Sequence, residues 1–333
     1  MVDRIPSGTR DVLPDEMREL RGMTDRIRGV FETAGYGEVY TPALEYEGTF
    51  ARYDRQAALG AAAATRPAYR MYDEQGNVLV LRPDMTIPIA RLVATRYSHE
   101  DPPFRFCYVA HAYRGVRPQR GQSRELLQAG VELIGSPAPQ GTAEVLGVLC
   151  AALDAAGLET YRVGLGDASL YPELLAGVRV PPEPRERILS ALAGGNFVEV
   201  EGAIRALGLD PGATEMLLRV PRIRGGPDVL TQLSGPLERA ATGMRAVHGL
   251  LSPAVADRVI FDFGLVRSLG YYTGAVFQVY DPAYGVPIGS GGRYDELLAG
   301  FGRPLRAVGF ALNVERLHIA LTGEERGRRG GAP

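Results

Sequence analysis

The sequence has no lysine, few cysteines and few histidines, and each shortage excludes a kind of chemistry. Its basic side chains are arginines, apart from four histidines. Without lysine, a Schiff-base mechanism, a lysine general base and a Gly-Lys-Ser/Thr phosphate loop are excluded. Cys107 and Cys150 lie far apart among apolar neighbours, which favours buried free thiols. No histidine has metal-ligand spacing with another histidine or with a cysteine, so neither a metal nor a cofactor is expected.

Charge and hydropathy narrow the class further. No apolar run approaches the length of a membrane span, and the opening residues, MVDRIPSGTRDVLPDE, lack the apolar centre of a signal peptide. A cytoplasmic protein with no membrane partner is therefore expected. A net charge of −2 and a pI near 6.2 do not indicate a global surface for nucleic acid. With 333 residues, 45% of them hydrophobic, the chain can form one large domain or two ordinary ones.

The periodicity of apolar residues predicts an α/β (α+β) protein. Because the late strands are joined by short connections and helices are interspersed irregularly, the pattern favours an antiparallel sheet with packed helices. Strands are predicted as a hairpin over 69–82, at 35–45 with a break at Pro42, and singly at 104–114, 125–135, 160–167, 258–265, 271–281 and 307–313. Helices are predicted at about 15–33, from Pro83-Asp84 onward, and at 139–156, 293–301 and 313–323.

The organisation predicted from these elements is one domain over 1–322 with a helical insertion. Residues from about 169 to 250 are mostly helical in pattern and form the inserted subdomain. The alanine-rich stretch 57–64 is compatible with a helix or a mobile loop. The small, polar tail 323–333 is expected to be disordered.

Three segments carry candidate binding residues. In LRPDMTIPIAR (81–91), the Asp84 carboxylate suits an ammonium group and Thr86 adds a hydroxyl, although both residues are equally typical of helix capping. In 112–135, four arginines crowd one hairpin, which favours an arriving anion. They are Arg114, Arg117, Arg120 and Arg124.

The returning strand of that hairpin places Gln128, Gly130 and Glu132 on one face, as in a polar cleft or a solvated edge strand. The third segment, LVRSLGYYTGAVFQVYD (265–281), combines the cation of Arg267 with the rings of Tyr271 and Tyr272. Such aromatic walls with polar tips suit a small polar ring such as imidazole. A core tyrosine pair beside a surface arginine is the simpler alternative.

Taken together, the segments resemble the catalytic domain of the histidyl-tRNA synthetases, from about residue 5 to 320 and in that family's order. GYGEVYTPALE resembles class II motif 1, the 112–135 hairpin resembles motif 2, and SGGRYDELLAGFGRPLRAVGFALNVERL resembles the approach to motif 3. The resemblance implies an antiparallel sheet of six or seven strands and a homodimer built through motif 1. It also implies a histidine pocket, formed by Asp84, Thr86, Arg114, Gln128, Glu132, Arg267, Tyr271 and Tyr272.

Several departures from that family fall on the nucleotide side. Where the family has a glutamate, a glycine-arginine pair and a glycine, this sequence has Val116, Gly121-Gln122 and Asn313; Met85 and Gly270 are further changes, while Arg316 is kept. Each lost polar contact costs about 1–3 kcal/mol, so ATP activation is expected to fall by orders of magnitude. The sequence also ends soon after motif 3, where a synthetase continues into an anticodon-reading domain, so no tRNA partner is expected.

This combination resembles the regulatory subunits of ATP phosphoribosyltransferase. That family supports a short catalytic subunit at the first step of histidine biosynthesis and takes part in feedback by histidine. The resemblance implies a non-catalytic chain, with the short catalytic subunit as partner, a homodimer inside a hetero-oligomer, and L-histidine as effector. The alternatives are a truncated ligase that adenylates histidine or an analogue, and a dimerisation scaffold with a vestigial pocket.

Overall fold

The computed structural model describes residues 5–50, 68–115, 123–233, 235–265 and 270–330. Its helices are α1 (Pro14–Thr33), α2 (Thr86–Arg96), α3 (Gln140–Ala156), α4 (Leu170–Gly177), α5 (Pro182–Ala193), α6 (Phe197–Arg205), α7 (Pro211–Arg219), α8 (Glu238–His248), α9 (Pro253–Ala256) and α10 (Val314–Gly330). Its strands are β1 (Gly37–Glu38), β2 (Leu44–Tyr46), β3 (Arg70–Tyr72), β4 (Val78–Leu81), β5 (Phe104–Tyr113), β6 (Glu125–Ile134), β7 (Arg162–Asp167), β8 (Arg224–Gly225), β9 (Val259–Asp262), β10 (Ala275–Tyr280), β11 (Gly289–Arg293) and β12 (Ala307–Asn313). In the part of the chain described, no helix is long and apolar enough to cross a membrane.

A large mixed sheet forms the centre of the molecule. Its nine strands run in the order β1-β5-β6-β12-β11-β10-β7-β9-β8. From β5 to β7 every neighbouring pair is antiparallel, as the sequence predicts. The strand count of six or seven is wrong because short strands extend both edges, and β1 and β9 join in parallel. A two-residue strand carries no periodicity and forms only where a neighbour supplies hydrogen bonds.

The predicted hairpin over 69–82 is confirmed. Strands β3 and β4 pair antiparallel around a turn in which Gly76 adopts a left-handed φ of +81°. Strand β2 adds to the other side of β4, giving a separate sheet in the order β2-β4-β3. The strand predicted at 35–45 is interrupted at Pro42, as predicted, and its two parts, β1 and β2, join different sheets.

One face of the large sheet is covered by α1, α3 and α10. Helix α1 contributes Leu20, Met23, Ile27 and Phe31 to the core beneath the sheet, with exposures of 0–3%. Helix α3 ends at Ala156, where the sequence predicts its end, and Gly157 with a φ of +100° forms the left-handed C-cap. Helix α2 and the segment after β11 lie on the opposite face of the sheet.

The region from Leu170 to His248 contains helices α4 to α8 and short 3-10 turns, as predicted, but it is not helical throughout. Strand β8 returns to the edge of the main sheet and pairs antiparallel with β9. Arg224 on β8 forms an ion pair with the buried Asp262 on β9, Nε to Oδ2 at 2.8 Å. The region from Leu170 to His248 is thus attached to the sheet by backbone pairing and by an ion pair.

Two further predictions need correction. The helix predicted over 293–301 is only a short 3-10 turn, Leu297–Phe301. Strand β11, just before it, is not predicted at all, because its sequence, GSGGR, is poor in strand-forming residues. The tail predicted as disordered from 323 instead continues α10 to Gly330. The carboxylate of Glu324 holds it, accepting hydrogen bonds from the Glu159 and Thr160 backbone amides and the Thr160 hydroxyl. The alanine-rich stretch 57–64 lies outside the described residues.

Candidate functional site

Strand β6 divides its side chains between the core and a polar pocket. Ala129, Val131 and Leu133 are fully buried against the helical layer. The alternate residues Gln128, Gly130 and Glu132 face the other way, as the period of two requires. The register aligns Gln128 with Asn313 and Glu132 with Gly309 on the neighbouring β12. The cleft predicted on this strand is present, and the alternative of a solvated edge is wrong because β6 lies inside the sheet between β5 and β12.

Glu132 lies at the bottom of this pocket and is 1% exposed. Its Oε1 accepts a hydrogen bond from the Thr86 hydroxyl at 2.9 Å, and its Oε2 accepts one from the Tyr294 hydroxyl. Burial raises the pKa of Glu132 to about 8, although the two hydroxyls oppose the shift and the negative charge of Asp84 adds to it. Burial therefore favours the neutral, protonated form of the carboxyl group at the base of the pocket.

Two glycines make room for these polar groups. A Cβ at Gly309 would lie 2.0 Å from Oε2 of Glu132 and 2.5 Å from the Val131 carbonyl. A Cβ at Gly130 would lie 2.2 Å from the Phe310 carbonyl and 2.5 Å from the Tyr108 hydroxyl. Neither position can carry a side chain while these neighbours stay in place, so the pocket is shaped as much by missing side chains as by polar ones.

The segment before α2 supplies the next wall. Oδ1 of Asp84 accepts the Ile87 amide at 3.1 Å, so this carboxylate does cap the helix, as the simpler interpretation held. Asp84 also lines the pocket, together with Met85 and Thr86. The capping and pocket interpretations are thus compatible: the cap fixes the rotamer, and the remaining carboxylate surface contributes negative charge to the cavity.

Three tyrosine rings form the aromatic wall. Tyr271 lies between Tyr272 and Tyr294, with ring centroids 4.9 Å and 5.8 Å apart. Tyr271 is 6% exposed and Tyr294 is 2% exposed, so their rings form the rigid inner part of the wall. Gly292 lies directly beneath Tyr272, since a Cβ there would be 2.7 Å from that ring. This packing of flat rings favours a planar ligand group.

Of the arginines predicted to bind an anion, one lines the pocket and another forms hydrogen bonds that stabilise the fold. Arg114, at the end of β5, lines the pocket, where its guanidinium can attract a carboxylate. Arg124 was grouped with it as a ligand for an anion, but it serves the fold: its Nε donates to the Ser7 carbonyl at 2.5 Å and its Nη1 to the Tyr69 hydroxyl. Arg117, Arg120 and Arg267 lie outside the described residues.

The structure thus brings all the predicted pocket residues that it describes to a single cavity. It adds residues that sequence reasoning missed, namely Tyr108, Ser290, Tyr294 and Gly309. Tyr108 and Gly309 stand at pocket-facing positions of predicted strands, so the period of two was an available signal. Ser290 lies on β11 and Tyr294 follows it, and they could not be predicted because β11 has no recognisable strand pattern.

On the side where a synthetase would hold its nucleotide, two residues serve local structure. Oδ1 of Asn313 accepts the Arg316 backbone amide at 2.8 Å and caps α10. The Arg316 side chain donates to the Pro287 carbonyl at 2.8 Å. Met85 is buried at 1% exposure. Val116 and Gln122 lie outside the described residues.

The chemistry of the cavity suits a small zwitterion with a polar ring. Asp84 and Gln128 offer acceptors for an ammonium group, Arg114 offers a cation for a carboxylate, and the tyrosines with Glu132 offer a wall for a polar ring. Among the residues described, no three histidine, cysteine or acidic side chains are grouped to hold a metal ion.

An antiparallel sheet that presents such a pocket between motif-like strands defines a class II aminoacyl-tRNA-synthetase-like protein. The model of the histidyl-tRNA synthetase family matches residues 8–317. A curated relative from Desulforamulus reducens, named as an ATP phosphoribosyltransferase regulatory subunit, is 38% identical over 96% of this chain and 79% of its own length. The chain belongs to the histidyl-tRNA synthetase family and, within it, to the ATP phosphoribosyltransferase regulatory subunits.

Solved structures agree on the fold. A Bacillus halodurans protein named as an ATP phosphoribosyltransferase regulatory subunit/histidyl-tRNA synthetase has a TM-score of 0.85 and 33% identity, covering 96% of this chain and 83% of that one. An Alicyclobacillus acidocaldarius protein named as a histidine–tRNA ligase subunit has a TM-score of 0.79 and 31% identity, covering 98% of each chain.

Proposed function

We propose that this chain acts in the cytoplasm as the non-catalytic regulatory subunit of an ATP phosphoribosyltransferase, and that its pocket binds L-histidine as a feedback effector. The partner is the short catalytic subunit, which needs this chain for activity at the first step of histidine biosynthesis. The observation that carries the effector assignment is the convergence of Asp84, Gln128, Glu132 and Arg114 on one cavity walled by tyrosines. These groups complement the ammonium, ring and carboxylate of histidine.

Feedback requires that histidine bind one conformation of the complex more tightly than another. A preference of about 1–3 kcal/mol corresponds to roughly 5- to 150-fold in affinity. The pocket is built from α2, β6, β12 and the segment after β11, so a ligand inside it contacts elements that are far apart in the sequence. Ligand binding can therefore favour one relative arrangement of these elements.

The direct test adds the purified chain to the short catalytic subunit. We expect the phosphoribosyltransferase rate to rise, and then to fall when histidine is added. Gln128→Ala should reduce the ratio of the rates without and with histidine, because Gln128 is 8% exposed and faces the cavity. Gln232→Ala, at an exposed site on the insertion, is the matched control. No rise in rate would contradict the regulatory function; an unchanged ratio for Gln128→Ala would move the effector site elsewhere.

A ligase is the second candidate, favoured by the likeness to the Alicyclobacillus acidocaldarius ligase subunit. The chain contains the kept Arg316, but part of that guanidinium is engaged by the Pro287 carbonyl. We expect no histidine-dependent exchange between ATP and pyrophosphate, and no charging of tRNA. Exchange at the rate of an authentic synthetase, measured in parallel as the positive control, would establish the ligase instead.

We also propose that the chain forms a homodimer through the motif 1 region, within the larger hetero-oligomer. The outer face of the β2-β4-β3 sheet supports this. Leu44, Tyr46 and Met71 on that face are 41%, 57% and 36% exposed. The opposite face is occupied, since Glu45 binds Arg91 of α2 through hydrogen bonds of 2.6–3.0 Å. An apolar sheet face of this kind is typical of protein interfaces.

A further inference from the structure

The surroundings of Glu132 have a consequence for how ligand binding depends on pH. Both of its oxygens accept hydrogen bonds from uncharged hydroxyls, those of Thr86 and Tyr294. In the described part of the chain, no arginine or histidine forms an ion pair with it. Because an isolated buried carboxylate is costly, the ligand-free pocket favours the protonated carboxyl.

The other titratable groups around Glu132 are an aspartate and tyrosines, together with Arg114 on the pocket wall. Asp84, from the segment before α2, is negative and opposes a second charge. Tyr108 on β5 and Tyr294 after β11 are fully buried, and burial holds their pKa values well above the ordinary value. Tyr36 lies on the far side of the sheet, also with a raised pKa. Arg114, Tyr271 and Tyr272 complete the lining.

We propose that histidine binding in this pocket is proton-linked through Glu132, whose carboxyl shares one proton with the imidazole in the complex, because both of its oxygens are held by uncharged hydroxyls and Oε2 faces the space left by Gly309. The inference rests on the proposed function, since it takes histidine as the ligand. Gly309 supports it structurally, because the absence of a side chain there lets Oε2 reach the cavity. The Tyr271 and Tyr294 rings pack edge to face in the same region.

The number of protons exchanged on binding differs between three pH ranges. At neutral pH a neutral imidazole meets a protonated Glu132, and the complex forms without net exchange. Above about pH 8, where Glu132 is ionised in the ligand-free pocket, binding takes up one proton from solution. Below about pH 6.5 the free imidazole is protonated, so binding releases one proton. Affinity is therefore greatest between these two values.

The experiment is calorimetric titration of the full chain with L-histidine at pH 7 and pH 9.5, in buffers of different ionisation enthalpy, which reports the protons exchanged. The ligand's α-amino group also titrates in the alkaline range and contributes at most one proton. We expect almost no exchange at pH 7 and an uptake above one proton per site at pH 9.5. Glu132→Gln should lower the uptake by nearly one proton.

The affinities provide a second comparison. Between pH 7 and pH 9 the wild-type affinity should fall about tenfold more than that of Glu132→Gln, which keeps the amino-group contribution. Should the variant fail to bind, the wild-type uptake decides alone. An uptake of one proton or less at pH 9.5, with histidine bound, would refute the linkage and leave the histidine site intact. Absence of histidine binding at every pH would refute the assignment of histidine to this pocket, which is part of the proposed function.

Discussion

At the scale of single residues, the pocket depends on positions that cannot carry a side chain. Gly309 faces Glu132 across two hydrogen-bonded strands, and its backbone neighbour, the Val131 carbonyl, has little freedom to move. Overpacking of this kind costs about 1–3 kcal/mol. We expect Gly309→Ala to lower the free energy of unfolding by that amount and to abolish histidine binding, as measured by urea denaturation and calorimetry.

The matched control for this substitution is Gly243→Ala. Gly243 lies on an exposed face of α8, and a Cβ there meets no atom within 4 Å. Since alanine is the better helix former, that variant should be more stable by about 0.5–1 kcal/mol and should bind histidine normally. Equal effects of the two substitutions would mean that the close contacts at Gly309 do not limit the pocket.

At the scale of elements, the last helix depends on one carboxylate. Glu324 is 9% exposed and accepts hydrogen bonds from the Glu159 and Thr160 amides, which precede β7. Glu324→Ala leaves these donors without their acceptor, which costs about 1–3 kcal/mol. We expect lower stability and faster hydrogen exchange in the second half of α10. The neighbouring Glu325→Ala, at an exposed position, should change neither; unaltered exchange in Glu324→Ala would show that the helix is held by other contacts.

At the scale of the whole molecule, the outer face of the small sheet is where self-association is expected. Tyr46→Arg places a charge at the centre of that face and should shift the chain from dimer to monomer in sedimentation experiments, because burying an unpaired charge in an interface is costly. Val198→Arg changes an apolar residue that is 85% exposed on the insertion and should leave the dimer unchanged. A dimer that withstands Tyr46→Arg would place the interface on another surface.

Much of the fold was accessible from the sequence, because long elements carry their own periodicity. Strand β12 was predicted with its observed ends, and β5, β6, α1 and α3 to within one or two residues. Short elements were not accessible. Strand β11, with three glycines among its residues, and the two-residue β1 and β8 exist because neighbouring strands supply hydrogen bonds. These strands form through contacts with residues distant in the sequence, which no local sequence pattern indicates.

For the pocket, the sequence by itself determined the family and most of the polar residues, since motif spacing and strand alternation are local properties. Only the tertiary structure decided which polar groups meet. It joined Glu132 to Thr86 and Tyr294 across long sequence separations, and it assigned Arg124 to the fold. The raised pKa of Glu132 likewise arises from burial among groups contributed by distant strands, because desolvation depends on everything that surrounds a charge and not on its neighbours in the chain.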